Sequence, residues 1–546
     1  MEDPTLDDCS EKSFLLEESE SDQMTSHEEE EVYSKRQRVD VPTSGIDGTA
    51  TGFSLKKLWA FTGPGFLMSI AYIDPGNIES DLQAGSVAKY KLLWILWWST
   101  VFGLILQLLA ARLGVVTGKH LAQVCRDQYP KGPRLFLWIM MELAIIGSDI
   151  QEVIGSAVAI SLLSSGKIPL WAGALMTGID TFTFLFLENY GLRKLEAFFG
   201  ALITTMSVTF GYLYIASGPD QLEVLKGVVI PTCPNCNGQV GEQAVSILGA
   251  VIMPHNIYLH SALVLSRNID RGKRSAVKEG IFYNSIESAI ALFVSFIINM
   301  FVVCVFAELF APDSNMSLVV AGDKLRFLDG CTNVTNGTNA TSFLLSTAAN
   351  STMSHIQHCK TANFYWIIWG IGLLAAGQSS TMTGTYAGQF VMEGFLGIKW
   401  PRWKRVLLTR SIAMGPTILC ATVFAKYLDA LDEWLNVEQS LLLPFALLPV
   451  LHLTTSSRIM GDFKNSKITR IAVWFLAVLV MGANGYLIVT QLFLKHKLAE
   501  TIVGGIIFPI YIVIVIYYVM GPSASKRLFI RMGLMKKEKA DEDALN

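Results

Sequence analysis

The sequence predicts an all-α protein that crosses a membrane many times, and three observations carry that reading. Of 546 residues, 51% are hydrophobic and only 16% charged, against about a quarter charged in soluble domains. The apolar residues fall in runs of roughly 20, the length a helix needs to span hydrocarbon. Two of these runs are interrupted by proline beside polar side chains, at Ser69 to Asn77 and at Met253-Pro254-His255.

Twelve spans are expected, centred near 58–78, 92–111, 134–162, 169–188, 195–216, 243–266, 281–309, 363–392, 404–425, 434–454, 468–493 and 499–520. Residues 1–31 hold thirteen Asp and Glu against one Lys, with no apolar core of a secretory signal, so the first span also serves as the insertion signal. Residues 1–54 read as an acidic, unstructured tail. Within it, Glu28 to Glu31 reads as a solvated run, and Glu11 with Leu15-Leu16 has the spacing of an endocytic sorting address for an adaptor. Nothing in the composition points to nucleic acid.

Charge sets the orientation. With the N-terminus inside, the cytosolic connections carry Arg112, Lys119, Arg126, Lys131 and Arg134; Arg267, Arg271, Lys273, Arg274 and Lys278; and Lys399, Arg402, Lys404, Arg405 and Arg410. Three opposite loops hold a single lysine each, so the positive-inside rule places both termini in the cytosol. Five Asn-x-Ser/Thr sequons, at Asn315, Asn333, Asn336, Asn339 and Asn350, lie in the loop between spans seven and eight and nowhere else. Glycosylation there requires a lumenal or extracellular face, which agrees. Cys233, Cys236, Cys331 and Cys359 share that side. Zinc held by Cys233-Pro-Asn-Cys236 is one reading; in an oxidising compartment disulfides are the stronger one, with the pairing open.

The breaks concentrate the chemistry. A helix stopped in hydrocarbon frees backbone groups, and a carboxylate there is expensive, so Asp74-Pro75-Gly76-Asn77 reads as a site. Two such interruptions in the two halves of a membrane protein point to a substrate site between them. Asp74 offers an anionic oxygen, Asn77 an amide oxygen one turn on, Ala71 and Ala250 backbone carbonyls, and Met253 a thioether. Oxygens alone suit Ca²⁺ or Mg²⁺, while a thioether favours softer transition metals. The combination predicts a transported divalent ion such as Fe²⁺ or Mn²⁺.

These residues carry a resemblance. Asp74-Pro75-Gly76-Asn77 and Met253-Pro254-His255, with flanking stretches Leu58 to Gly85, Glu142 to Ala157, Tyr190 to Gly200, Ala250 to Val264 and Ala375 to Phe395, resemble the NRAMP family of proton-coupled divalent metal transporters, most nearly its animal iron and manganese importers. The resemblance runs from about residue 54 to about 455. It implies a LeuT-type inverted repeat, spans 1–5 and 6–10 forming the core over 55–455, with a glycosylated loop at 310–362. Two further helices fill 456–520, and 521–546 is a cytosolic tail. It also implies that Asp74, Asn77 and Met253 bind metal, helped by the Ala71 and Ala250 carbonyls and by the amide of Asn436. The implied proton route runs through Asp149, Glu152 and His255 to an arginine on span nine, Arg410 or Arg405.

Glu142, Asp149 and Glu152 share a helical face by spacing, where membrane carboxylates relay protons or are satisfied by neighbours. His260, five residues beyond His255, reads as a packing or tuning residue. Glu438 stands where an apolar residue is expected, as a lumen-facing carboxylate or one with a basic partner. Gly377 to Phe390, rich in small residues, reads as helix packing. The rival function is a sodium-coupled organic-solute symporter of the same fold, against which an anionic Asp74 beside sulfur argues; an uncoupled metal channel is the other. No His-Glu-x-x-His occurs, so no metalloprotease is expected.

Overall fold

The computed structural model describes residues 39–41, 53–188, 192–233, 236, 238–313, 316–330, 365–397, 402–423, 428–489, 498–521 and 531. Apart from one two-stranded ladder it is helical. The first half runs α1 (Leu55–Phe61), α2 (Pro64–Ile70), α3 (Pro75–Ala88), α4 (Leu93–Thr117), α5 (Leu121–Gln128), α6 (Lys131–Leu163), α7 (Leu170–Glu188) and α8 (Leu192–Ser217), with α9 (Gln221–Val229) as a connector. The second runs α10 (Gly238–Val251), α11 (Pro254–Leu263), α12 (Arg274–Leu309), α13 (Leu318–Gly330), α14 (Tyr365–Leu396), α15 (Arg402–Val423), α16 (Leu428–Leu442) and α17 (Pro444–Thr455). Two more helices close the chain, α18 (Lys467–Val489) and α19 (Leu498–Val519).

Helices lie at each expected span, and among the described residues seven helical stretches are long and apolar enough to cross a membrane. Exposed Ile468, Ile471, Phe475 and Val478 recur at helical spacing along α18, an apolar stripe suited to lipid.

The first break departs from expectation. A span ending near 78 makes Asp74 the end of an apolar run, whereas the helix resumes directly after it as α3. Proline is the reason. Pro75 stands at the first turn, where its missing N–H costs nothing, and Asp74 caps the helix by accepting from the Asn77 N–H. Pro64, Pro254 and Pro444 also open helices, at α2, α11 and α17. The last of these divides the tenth expected span at Leu443.

The broken helices occupy the middle of the bundle. α2 and α3 pack on α12, α3 also on α6 and α10, and α10 on α16. α6 and α14 form the most extensive pairing, close because Gly377 gives Ser156 room and Gly384 accommodates the carboxylates of Asp149 and Glu152. Two further findings bear on the sequence reading, the first correcting it and the second closing a pairing it left open. Val39–Asp40, inside the tail expected to lack structure, forms a parallel ladder with Arg267–Asn268. Cys233 and Cys236 are joined by a disulfide. The five sequons, Cys331, Cys359 and Glu11-Leu15-Leu16 lie outside the described residues.

Candidate functional site

The interruption between α2 and α3 spans Ala71 to Asp74, all buried. Two local turns hold part of its backbone, Tyr72 N–H to the Ser69 carbonyl and Ile73 N–H to the Ile70 carbonyl, and side chains from elsewhere in the chain hold its carbonyls. The Ser69 carbonyl accepts from Ser295 Oγ at 2.8 Å, and the Tyr72 carbonyl from Asn299 Nδ2 at 2.7 Å. The Ala71 carbonyl accepts a longer bond of 3.4 Å from Asn256 Nδ2. Asn256 is three residues past Met253, so this contact joins the two breaks directly.

Asp74 Oδ1 receives both the Asn77 N–H, at 2.8 Å, and its Nδ2, at 2.6 Å. That pairing fixes the carboxylate and turns the amide so that Asp74 Oδ2 and Asn77 Oδ1 remain without a donor, in fully buried positions. Unsatisfied buried oxygens are costly, and each one calls for an account. Their neighbours repeat the pattern: Oδ1 of Asn256, Oδ1 of Asn299 and Oε1 of Gln151 also accept nothing. Acceptor oxygens without donors, one of them anionic, are what a cation takes up. Among the described residues no three His, Cys, Asp or Glu side chains gather into a cage. An ion here would therefore meet one carboxylate and otherwise neutral donors.

Met253 caps α11 and is buried, and Ala250 lies in the last turn of α10, also buried. Asn436, on α16, accepts from Gln151 Nε2 at 3.0 Å and gives its own Nδ2 to the Gly76 carbonyl at 3.4 Å. Both amides thus border the first turn of α3. A Cβ on Gly76 would come within 2.7 Å of Gln151 Oε1, which is why the turn after Pro75 needs glycine.

Gln151 stands between Asp149 and Glu152 on α6. Glu152 accepts from Ser380 Oγ at 2.7 Å and Ser148 Oγ at 3.3 Å, and a Cβ on Gly384 would lie 2.8 Å from Asp149 Oδ1. The Gly377 to Phe390 stretch therefore does more than pack, since Ser380 holds a candidate proton carrier. Glu142, two turns earlier on the same helix, is half-buried and accepts from Trp138 Nε1 at 2.8 Å, whereas Asp149 and Glu152 are buried. His255 is buried at the start of α11. His260 meets Ser288 at 3.3 Å, away from the break. Glu438 sits against Gly147 of α6 with Oε2 unpartnered. Arg405 and Arg410 fall outside the described side chains. In the connection before α5, burial first and Arg126 second push the His120 imidazole down to about 3, so it is neutral at ordinary pH.

Sequence reasoning passed over Gln151, Asn256, Asn299 and Ser380. The available signal was a polar side chain inside an apolar span, which only the fold turns toward the breaks.

Residues 65–490 match the family model described as natural resistance-associated macrophage protein-like, Nramp. The chain belongs to the Nramp family. It is 55% identical over 474 residues to human natural resistance-associated macrophage protein 2, covering 85% of this chain and 81% of that one. To the metal transporter nramp1 homolog of Dictyostelium discoideum it is 57% identical over 438 residues, 80% of this chain and 76% of the other. The solved manganese transporter of Eremococcus coleocola, crystallised with an aromatic bis-isothiourea compound, superposes with a TM-score of 0.75 at 30% identity. That match covers 90% of this chain and all of that one. The fold is accordingly the Nramp form of the LeuT-type architecture, and this Nramp chain is a multi-pass membrane protein.

Proposed function

We propose that this Nramp chain imports divalent transition-metal ions, Fe²⁺ and Mn²⁺ among them, together with protons and by alternating access. One observation carries the reading. Two proline-started half-helices meet through Asn256 and Ala71, beside a buried carboxylate oxygen and amide oxygens that accept no hydrogen bond. Relatives 55% and 57% identical over the aligned residues are named natural resistance-associated macrophage protein 2 and metal transporter nramp1 homolog, and the matching solved structure is of a manganese transporter, which supports the same class.

In this reading Asp74 Oδ2, Asn77 Oδ1, the Ala71 and Ala250 carbonyls and Met253 Sδ surround the ion, with Asn436 and Gln151 behind them. The oxygens replace part of its water. The thioether biases the site toward softer ions over Ca²⁺ and Mg²⁺. A single anionic ligand keeps binding loose enough for release, which a carrier requires.

The proton follows from electrostatics. A dication arriving at Asp74 repels a proton held nearby, and Gln151 borders both the first turn of α3 and the α6 carboxylates. Asp149 and Glu152, with His255 and an arginine of α15, Arg410 or Arg405, form the proposed exit route. Ser380 and Ser148 orient Glu152 for it. The basic connections and the sequons at Asn315, Asn333, Asn336, Asn339 and Asn350 support cytosolic termini and a twelve-span topology. The membrane is then the plasma membrane or an endosomal–lysosomal one, an address that Glu11-Leu15-Leu16 would supply.

Reconstituted protein presented with labelled Mn²⁺ or with labelled amino acids tests the substrate class. Mn²⁺ should accumulate and amino acids should not. Accumulation of an amino acid with indifference to Mn²⁺ would establish the solute-symporter alternative instead.

A further inference from the structure

We propose that the N-terminal segment Val39 to Val41 is a strap that holds the tail-side ends of the two half-helices α2 and α11 together, and that must release for the carrier to open on that side. The inference rests on the alternating-access reading above. It is carried by three contacts that converge on the same small region.

The first is the ladder. Val39 pairs with Arg267 and Asp40 with Asn268, in parallel, and Asn268 Nδ2 donates to Asp40 Oδ1 at 3.0 Å. The second is what Arg267 does with its side chain. Though its backbone is in the ladder, its guanidinium is fully buried and donates to the Phe61 carbonyl at 3.3 Å, the Thr62 carbonyl at 2.6 Å and Glu196 at 2.8 Å. Phe61 ends α1 and Thr62 leads into α2. One residue therefore links the strap to the start of the first broken helix and to α8. The third contact is apolar. Val41 packs on a satellite cluster of Phe61, Val115, Val264, Ile269, Val277 and Tyr283. Phe61 closes α1, just before the first broken helix begins, and Val264 follows α11 directly.

Beneath the strap, Glu287 of α12 accepts from the Gly63 and Gly65 N–H groups, at 2.5 and 2.9 Å, and so ties the head of α2 to the helix it packs on. Any outward swing of α1 and α2 breaks the Arg267 bonds and strips the Val41 cluster of Phe61. A two-residue ladder is at the short end of strand pairing, suited to a catch that lets go and re-forms in each cycle. The strap occupies the end that bears the basic connections, the cytosolic end in the proposed topology.

The test uses full-length protein in vesicles. Facing Cα atoms across a ladder are about 5 Å apart, inside the range a disulfide bridges. In the double variant Asp40→Cys, Asn268→Cys, oxidation should yield the joined peptide by mass spectrometry and abolish labelled Mn²⁺ uptake, and reductant should restore it. Either single variant should transport throughout. As a second reading, Val41→Asp should speed thiol labelling of a Thr62→Cys reporter from the tail side. Uptake by the oxidised double variant at the reduced rate, or equal labelling with and without Val41→Asp, would overturn the strap. If the joined peptide forms and labelling accelerates but the reduced protein never carries Mn²⁺, the strap stands and the transport reading fails.

Discussion

Replacing Asp74 with asparagine separates the two things this carboxylate does. As a cap, Oδ1 accepts two bonds from Asn77, and an asparagine oxygen can do the same. Asparagine is as good a cap as aspartate, whereas Asp74→Ala loses about 1 kcal/mol, small against the 5–15 kcal/mol of an ordinary domain. Both variants should therefore fold and reach the membrane. As a ligand, Asp74 provides the one formal charge at the break. At about 4 Å and an effective dielectric near 20, a unit pair is worth about 4 kcal/mol, and a dication doubles that to about 8. Dehydration of ion and carboxylate takes back most of it. If about a third survives, Asp74→Asn weakens Mn²⁺ binding on the order of a hundredfold. The assay is Mn²⁺ titration of purified variants beside concentration-dependent uptake in vesicles. Near-parental affinity in a correctly delivered Asp74→Asn protein would refute the site.

Met253→Ala should cost selectivity more than activity: with sulfur gone, Ca²⁺ and Mg²⁺ should compete better against Mn²⁺, and an unchanged competition profile would make Met253 a packing residue. Glu152→Gln and Asp149→Asn should flatten the acid stimulation of uptake while metal binding partly survives; full acid stimulation with normal proton currents in both would remove α6 from the proton route. Glycosidase should lower the apparent mass, and replacing Asn315, Asn333, Asn336, Asn339 and Asn350 together should abolish that shift. A terminal tag reached by antibody on intact cells would contradict the topology.

What could be read from the sequence was whatever local chemistry decides. Proline next to Asp74 and Met253 inside apolar runs marked both breaks, because proline cannot continue a helix and a carboxylate in hydrocarbon needs a reason. The continuation of the first span as α3 was hidden because Glu79, Asp81 and Gln83 lower its hydropathy; they are buried, Glu79 by bonds to Gln83 and the Leu318 N–H. The partners of the unwound backbone were hidden for another reason. Asn256, Ser295 and Asn299 bond to residues 185 to 227 positions away, and a lone amide or hydroxyl in a helix has many ordinary explanations. Gln151 could be found only once α16 was seen beside α6. The Val39–Arg267 pairing lies beyond any local pattern, since two residues of a polar tail form it with a segment 228 positions on.

The most direct test of the account is Mn²⁺ entry recorded together with internal pH in vesicles holding the purified protein. Under an inward proton gradient the account predicts that Mn²⁺ accumulates and that its addition acidifies the lumen. Asp74→Asn should lose both signals, and Glu152→Gln should lose acidification more than Mn²⁺ entry. Mn²⁺ accumulation with no accompanying proton entry, or Mn²⁺ flux that only ever follows its own gradient, would contradict coupled transport.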